Sequence, residues 1–289
     1  MQPSPNRLLL MAAVCVGLVI SGCAARAQQN SAPASPEQIT GILASPDRSA
    51  ADRTNDLRRH PQQMLEFIGI RPGIVAVDLS AAGGYTTELL ARTIGPSGTV
   101  YGQSRPRDPD KPSTAPAASE GNSHPNVVAT VAPSGPRPSP VALADREAKL
   151  QAAAIPAAPI TAVIRPFEDP FPPELAVDHV DLVTLMFNYH DLGYMGVDRA
   201  AMNRAVFRAL KPGALYVIAD HAGRPGTGIS ESGTLHRIEE TFLRQEVEEA
   251  GFRLLAEGDF LRNPNDPRDK NTPDPPQPKD EFVLKFVKP

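Results

Sequence analysis

The stretch Ile74-Val-Ala-Val-Asp-Leu-Ser-Ala-Ala-Gly-Gly-Tyr-Thr-Thr-Glu-Leu-Leu-Ala91 indicates the fold of the whole chain. Residues 74–79 are apolar except for Asp78, a pattern typical of a strand buried on both faces of a parallel sheet. Residues 80–84 have little side-chain bulk, so the backbone there can approach a ligand closely. A helix predicted over 85–93 would direct its unpaired N–H groups at the same place. We therefore expect a strand, a tight turn and a helix that together bind a ligand.

The rest of the chain alternates between apolar strands and amphipathic helices. Apolar or alternating runs predict further strands at 99–103, 160–164, 181–187, 214–220, 252–260 and 281–287. Helical spacing predicts helices within 48–70 and at 141–154, 197–210 and 234–250. Such alternation is typical of an α/β protein. The expected fold is a Rossmann-like doubly wound sheet of about seven strands, mostly parallel, with an antiparallel C-terminal strand.

Composition limits the classes of partner. The chain of 289 residues is 41% hydrophobic, enough for one sizeable core. Its net charge of −4 gives no basic face for nucleic acid, so we expect no nucleic-acid partner. Many of the 32 prolines lie outside the predicted elements, above all in an insertion at 104–140. That insertion is expected to be a spacer without fixed structure, with a lid over the substrate as the alternative.

The N-terminus has the pattern of an export signal. Arg7 precedes an apolar run at 8–20 that is short for a membrane span, which predicts a signal peptide at 1–23. Ile20-Ser-Gly-Cys23 resembles a bacterial lipobox and implies a lipid anchor at Cys23; cleavage after Ala25-Arg26-Ala27 is the alternative. The mature protein would then be periplasmic or a membrane-anchored lipoprotein. We expect a flexible tether at 24–47 and one domain at 48–289.

The stretch from Asp78 to Gly84 resembles the first motif of class I S-adenosylmethionine-dependent methyltransferases. In that family an acidic residue closes the first strand and the pattern acidic-x-Gly-x-Gly-x-Gly follows. Asp78 fits, Ser80 and Ala82 stand at the first two glycines, and Gly84 keeps the third. The run 208–218 is similar to the family's stretch between the fourth helix and the fifth strand. The resemblance covers about 48–288 without the insertion, and it points to a group of exported bacterial predicted methyltransferases.

The resemblance implies S-adenosylmethionine as the cofactor. The residues that match the family's cofactor positions are Asp78, Ser80, Ala82, Gly84, Gln103, Phe167, Glu168 and Asn188. Gln103 stands where an acidic residue usually holds two ribose hydroxyls, and its amide can accept one hydrogen bond and donate another. Phe167 and Glu168 would flank the adenine. Alternatively, they belong to a proline-bounded turn whose phenylalanine caps the core.

Asn188-Tyr-His-Asp191 contains the densest polar chemistry in the chain. It follows the strand at 181–187, and ligands bind at the carboxyl ends of such strands. His190 is the predicted base for a methyl acceptor, with Asp191 as its orienter or as a hydrogen-bond partner of the acceptor. His221 and His236 are second choices, and each histidine could instead satisfy backbone groups. The spacing of His190, Asp191, Asp220 and His221 is not that of a known zinc motif, so no metal is expected.

The predicted function is S-adenosylmethionine-dependent methyl transfer to a small molecule or a protein side chain. A non-catalytic envelope protein on a degenerate methyltransferase scaffold is the first alternative, because fold does not fix function. An NAD(P)-dependent oxidoreductase is the second, although Gly-x-Gly-x-x-Gly is absent from residues 80–85. The position of Asp78 discriminates between catalysis and scaffold: an open pocket favours the enzyme, and burial among side chains favours the scaffold.

Overall fold

The computed structural model describes residues 32–106, 137–273 and 277–289. Its centre is one seven-stranded sheet with the order β3-β2-β1-β4-β5-β7-β6. The strands are β1 (Val75–Leu79), β2 (Thr99–Ser104), β3 (Ile160–Ile164), β4 (Val180–Met186), β5 (Leu210–His221), β6 (Arg253–Gly258) and β7 (Glu281–Val287). Six strands are parallel, and β7 runs antiparallel between β5 and β6. The predicted fold class is confirmed.

Helices cover both faces of the sheet. Within the described ranges they are α1 (Pro36–Ala44), α2 (Ala50–Arg59), α3 (Pro61–Ile68), α4 (Tyr85–Ile94), α5 (Ser139–Ala152), α6 (Asp191–Tyr194), α7 (Arg199–Ala209), α8 (Ser232–Leu235) and α9 (Glu240–Glu249). One apolar core lies between the sheet and α7 and α9, and the other lies between the sheet and α1, α3, α4 and α5. No helix in these ranges is both long and apolar enough to cross a bilayer.

Helix α1 lies inside the segment that we expected to be a flexible tether. The Ser35 side chain caps the helix by accepting from the Gln38 N–H, and the Ala34 N–H donates to the Ile70 carbonyl over 2.8 Å. Ile39 is only 1% exposed and packs in the core. The flexible tether predicted at 24–47 is therefore wrong from Ala34 onward, because burial of the apolar face of α1 outweighs its polar composition.

The single helix predicted at 234–250 is two helices in the structure. His236 has a left-handed backbone with φ of 51°, which ends α8. Ile238 then forms a bridge with Ala222, just beyond the end of β5. The Ile238 N–H donates to the His221 carbonyl over 3.1 Å. This tertiary contact brings His236 to the carboxyl end of the sheet.

Some predictions fall on residues that the structure does not describe. These are the signal peptide at 1–23 with its lipid anchor at Cys23, and most of the insertion at 104–140. The two ends of the insertion are described. Ser104 is the last residue of β2, and α5 begins at Ser139, two residues before the predicted start.

Candidate functional site

The loop at 80–84 keeps a glycine-like backbone although two of its residues carry side chains. The φ angles are 57° at Ser80, 46° at Ala82 and 77° at Gly84. Residues other than glycine rarely adopt this left-handed conformation, which costs about 1–3 kcal/mol at each position. Ala82 and Gly83 form the exposed tip of the loop. Three alternate residues of the loop, Ser80, Ala82 and Gly84, therefore share the conformation that glycine adopts most easily.

Gly84 allows α5 to pack against this loop. A Cβ atom at Gly84 would lie 2.7 Å from Leu143 Cδ2 and 2.8 Å from Arg146 Cδ, too close for either side chain. Arg146 also donates from Nε to the Gly83 carbonyl over 2.6 Å. Gly84 is thus required by helix packing as well as by its left-handed backbone.

Asp78 is buried at the end of β1, with 2% of its surface exposed. Its Oδ2 accepts from the Thr87 hydroxyl over 2.7 Å, and its Oδ1 accepts from the Thr184 hydroxyl over 2.8 Å. Burial raises the pKa of Asp78 to about 6, despite these two hydrogen bonds. Asp78 therefore lies among side chains and not in an open pocket, which is the arrangement that favours a structural role.

Gln103 links the ends of three strands. Its Oε1 accepts from the Ser80 N–H over 3.1 Å, and its Nε2 donates to the Arg165 carbonyl over 2.7 Å. The side chain is fully buried. Each amide atom therefore has one partner and keeps the capacity for a second hydrogen bond, but the burial of the side chain separates it from any ligand in solution. Its observed role is to fix the loop at 80–84.

Phe167 and Glu168 contact other parts of the domain. Phe167 is buried in the core on the α7 side of the sheet, as the core-capping interpretation expects. Glu168 accepts through Oε1 from the Asp198 N–H, at the start of α7, over 3.2 Å. These contacts give structural roles to both residues.

Asn188 connects the loop after β1 to the polar residues after β4. Its Oδ1 accepts from the Ser80 hydroxyl over 2.6 Å, and its Nδ2 donates to Asp191 Oδ2 over 3.0 Å. Three of the predicted site residues therefore lie in one chain of hydrogen bonds. This chain crosses from β1 to β4 at the point where the strand order reverses, which is where open α/β sheets bind ligands.

A cluster of histidines and carboxylates continues from Asp191. His190 Nδ1 lies 2.5 Å from Asp220 Oδ1, and its Nε2 lies 3.0 Å from Asp191 Oδ1. His236 Nδ1 lies 2.8 Å from the same Asp191 oxygen. The His221 ring lies 5.2 Å from the His190 ring, between centroids. We call His190, Asp191, Asp220, His221 and His236 the histidine cluster.

The contacts of His190 oppose its predicted role as a base. Burial alone lowers the pKa of His190, but the charges of Asp220 and Asp191 and their hydrogen bonds outweigh it and raise the pKa to about 10. The ring is then protonated at neutral pH, with both nitrogens engaged, and cannot accept a proton. The pKa of His221 is instead lowered well below its usual value, chiefly by burial, so that ring is neutral.

Sequence reasoning missed several partners in this site. Thr87 and Thr184, which bind Asp78, were not singled out, because hydroxyls within a helix and an apolar strand give no distinct pattern. Asp220 could have been found as an orienter of His190, since it ends the apolar run of β5. Glu246 was not singled out either, although the hydroxyl of the buried Tyr189 donates to its Oε2 over 3.0 Å.

Comparison with known proteins identifies the fold of the chain but not its family. No family model and no curated protein matches the chain. A SAM-dependent methyltransferase from Aquifex aeolicus is 16% identical with a TM-score of 0.50, over 89% of this chain and 100% of that one. A geranyl diphosphate C-methyltransferase from Streptomyces coelicolor A3(2), in complex with Mg²⁺, geranyl diphosphate and S-adenosyl-L-homocysteine, is 11% identical with a TM-score of 0.50, over 90% of each chain. The chain therefore has the Rossmann-like fold of class I S-adenosylmethionine-dependent methyltransferases.

Proposed function

We propose that this protein is an S-adenosylmethionine-dependent methyltransferase that acts on a small molecule or a protein side chain. The observation that carries the proposal is the loop at 80–84, in which Ser80 and Ala82 hold left-handed backbone conformations. Strain of this kind persists only where the surrounding structure enforces it, and it concentrates at functional sites. The loop lies at the carboxyl end of β1, which is the cofactor position in this fold.

The residues present fit the cofactor at the loop. The backbone of 80–84 would hold it, and α4 begins directly after Gly84, which has no side chain to cap the helix. Gln103 fits less well, because both of its amide atoms are engaged. When bound, S-adenosylmethionine supplies a methyl group on a sulfonium sulfur. The protein's own task is then to align an acceptor with that methyl group.

The acceptor would meet the histidine cluster. Asp191 and His236 are its two members that reach the surface, with side chains 12% and 18% exposed. Asn188 is hydrogen-bonded to both Asp191 and Ser80, so the acceptor site and the loop at 80–84 would be held at a fixed distance from each other. We assign to His190 the positioning of Asp191, since neither of its ring nitrogens is free. Polar groups of this kind suit an acceptor that carries a hydroxyl or an amine. Export through 1–23 and the lipid anchor at Cys23 remain part of this proposal.

A non-catalytic scaffold is the second candidate. Two observations favour it: both oxygens of Asp78 are taken by threonine hydroxyls, and both amide atoms of Gln103 are taken by backbone groups. In this case the loop would keep its shape without binding a cofactor. No observation of this kind favours the oxidoreductase.

Calorimetric titration of S-adenosylmethionine into the full-length chain separates the two candidates. We expect binding by the natural chain and at least a tenfold loss of affinity in Ala82→Leu, because the larger side chain occupies the exposed tip of the loop. Ala154→Leu is the matched control, since Ala154 is also exposed and left-handed, with φ of 51°, but follows α5 outside the loop. Absence of binding by the folded natural chain would favour the scaffold. Equal affinities of the two variants would place the cofactor away from the loop.

A further inference from the structure

Three side-chain atoms in the histidine cluster converge on one point. One ring nitrogen of His190, one ring nitrogen of His236 and a carboxylate oxygen of Asp191 all lie within 4.8 Å of one another. The two imidazole nitrogens lie 3.0 Å and 2.8 Å from the same Asp191 oxygen. His236 reaches this point because the left-handed turn after α8 directs the chain back toward β5.

These separations suit a shared metal ion. Nitrogen and oxygen ligands bind zinc at about 2.0–2.2 Å, so two ligands of one ion lie roughly 3.0–3.5 Å apart in tetrahedral or octahedral geometry. The distance of 3.0 Å from His190 lies at the lower limit of this range, and the distance of 2.8 Å from His236 is slightly shorter. A small outward rotation of the Asp191 and His236 side chains would therefore open the site without movement of the backbone.

The surrounding hydrogen bonds orient two of the three ligands. Asp220 binds His190 Nδ1, so Nε2 is the nitrogen directed at Asp191, and a metal ion would bind there in place of the Nε2 proton. Asn188 donates to the second Asp191 oxygen. A carboxylate behind a ligating imidazole is the usual second layer of a metal site, because it fixes the ring and its tautomer.

His221 is a second buried imidazole beside the proposed site. This imidazole is 1% exposed and lies beside His190. Its Nδ1 lies 2.9 Å from Glu281 Oε1 without hydrogen-bond alignment, and its Nε2 has no hydrogen-bond partner in the described part of the chain. A buried imidazole without hydrogen bonds is uncommon in native proteins, so the surroundings of His190 are unusually polar for the interior of a domain.

We propose that His190, Asp191 and His236 bind a divalent transition-metal ion such as Zn²⁺ or Fe²⁺. Two imidazoles and one carboxylate form the ligand set of many zinc enzymes and of non-haem iron sites, and Mg²⁺ prefers oxygen ligands. Because Asp191 and His236 reach the surface, a further coordination position would be open to a ligand from solution. This differs from the expectation of no metal that the sequence spacing gave.

The role of the ion in catalysis rests on the proposed function. An acceptor hydroxyl bound to the ion would release its proton to solvent more readily, as metal-bound water does. This would explain how a methyl acceptor is activated although both nitrogens of His190 are engaged. The metal site itself is independent of methyl transfer, because it rests only on the three ligands and the groups around them.

Metal binding by the full-length chain tests the proposal directly. The chelator-treated protein is titrated with Zn²⁺ alone in a calorimeter, and bound zinc per chain is measured after dialysis. We expect one ion per chain in the natural protein. The His236→Asn variant should lose at least 100-fold in affinity for zinc, which is more than the 10- to 100-fold typical when a residue behind a metal ligand is changed. Asparagine tolerates the left-handed backbone at this position.

His60→Asn is the matched control, because His60 also has a left-handed backbone, with φ of 44°, outside the cluster. It should bind zinc as the natural chain does. Circular dichroism confirms that both variants are folded, and titration with Mg²⁺ should give much weaker binding. Failure of the natural chain to bind zinc stoichiometrically, or equal affinities of the two variants, would overturn the metal site. The zinc titration contains no S-adenosylmethionine, and the cofactor titration is run with chelator and so without metal. Failure of the metal site can therefore be told apart from failure of cofactor binding.

Discussion

Asp78 shows how a single motif residue can serve the structure of a site. Its carboxylate connects the end of β1 to Thr87 in α4 and to Thr184 in β4. These bonds hold the first turn of α4 against the sheet and so support the loop between them. The same burial makes the ionised carboxylate unfavourable in the folded protein, which raises its pKa to about 6 from the usual 3.8.

The shift predicts a pH-dependent loss of stability. The unfolded chain releases the Asp78 proton near pH 4 and the folded protein near pH 6, so folding becomes less favourable as the pH rises through this window. A shift of two units corresponds to about 3 kcal/mol. The side chain in the Asp78→Asn variant cannot ionise. Between pH 4 and pH 7 the free energy of unfolding of this variant should therefore fall by about 3 kcal/mol less than that of the natural chain.

Urea denaturation at both pH values measures the difference. Other titrating groups are the same in both proteins and cancel in the comparison. Identical pH dependence in the natural chain and the variant would contradict the burial of an ionisable Asp78.

At the scale of elements, the site depends on how α5 packs against the loop at 80–84. Leu143 and Arg146 of α5 contact Gly84, and Leu143 also fills the space above Gly102. Arg146 binds Asp52 in α2 through two hydrogen bonds of 2.8 Å and 3.0 Å. Helix α5 therefore holds the loop between the sheet and the N-terminal helices.

Adding one methyl group at each of two neighbouring glycines tests this packing. Gly84→Ala should lower the free energy of unfolding by about 1–3 kcal/mol, because the Cβ would overlap Leu143 and Arg146 and the backbone is left-handed. Gly83→Ala is the control, since a Cβ there meets nothing within 4 Å. It should change stability by less than about 0.5 kcal/mol. Thermal or urea unfolding measures both, and equal effects would refute the role of α5.

The elements that could be predicted from sequence are those with strong local patterns. The strands around Val77 and Val183 are apolar runs next to turn residues, and the structure confirms them within a residue or two. The break between α8 and α9 could not be predicted, since it depends on the contact between Ile238 and Ala222. The same contact decides that His236 joins Asp191, so the histidine cluster was only partly foreseen.

At the scale of the whole molecule, the N-terminal helices belong to the domain. Asp56 in α2 accepts from the Tyr85 hydroxyl at the start of α4 over 2.7 Å. Arg48 pairs with both oxygens of Asp56 over 2.6 Å and 2.8 Å. These contacts lay α2 over the end of the loop at 80–84. The capping pattern from Ser35 to Gln38 was a local signal for the preceding helix, although the polar composition around it favoured a tether.

The N-terminal helices should therefore contribute to stability. Ile39→Ala in α1 should lower the free energy of unfolding by about 2–5 kcal/mol, because it leaves a cavity in the core. Leu57→Ala in α2 is the control, since that side chain is 58% exposed, and it should change stability by less than about 0.5 kcal/mol. If urea denaturation found equal small changes for both variants, residues 34–44 would be the flexible tether after all.

The proposed function depends first on binding of S-adenosylmethionine by the loop at 80–84. A crystal structure of the full-length chain grown with S-adenosylhomocysteine, the product form of the cofactor, tests it most directly. We predict density for the ligand against the backbone of Ser80 and Ala82, at the N-terminus of α4. If crystals grown at saturating ligand showed only solvent at the loop, or showed the ligand at another place on the sheet, the loop would not be the cofactor site.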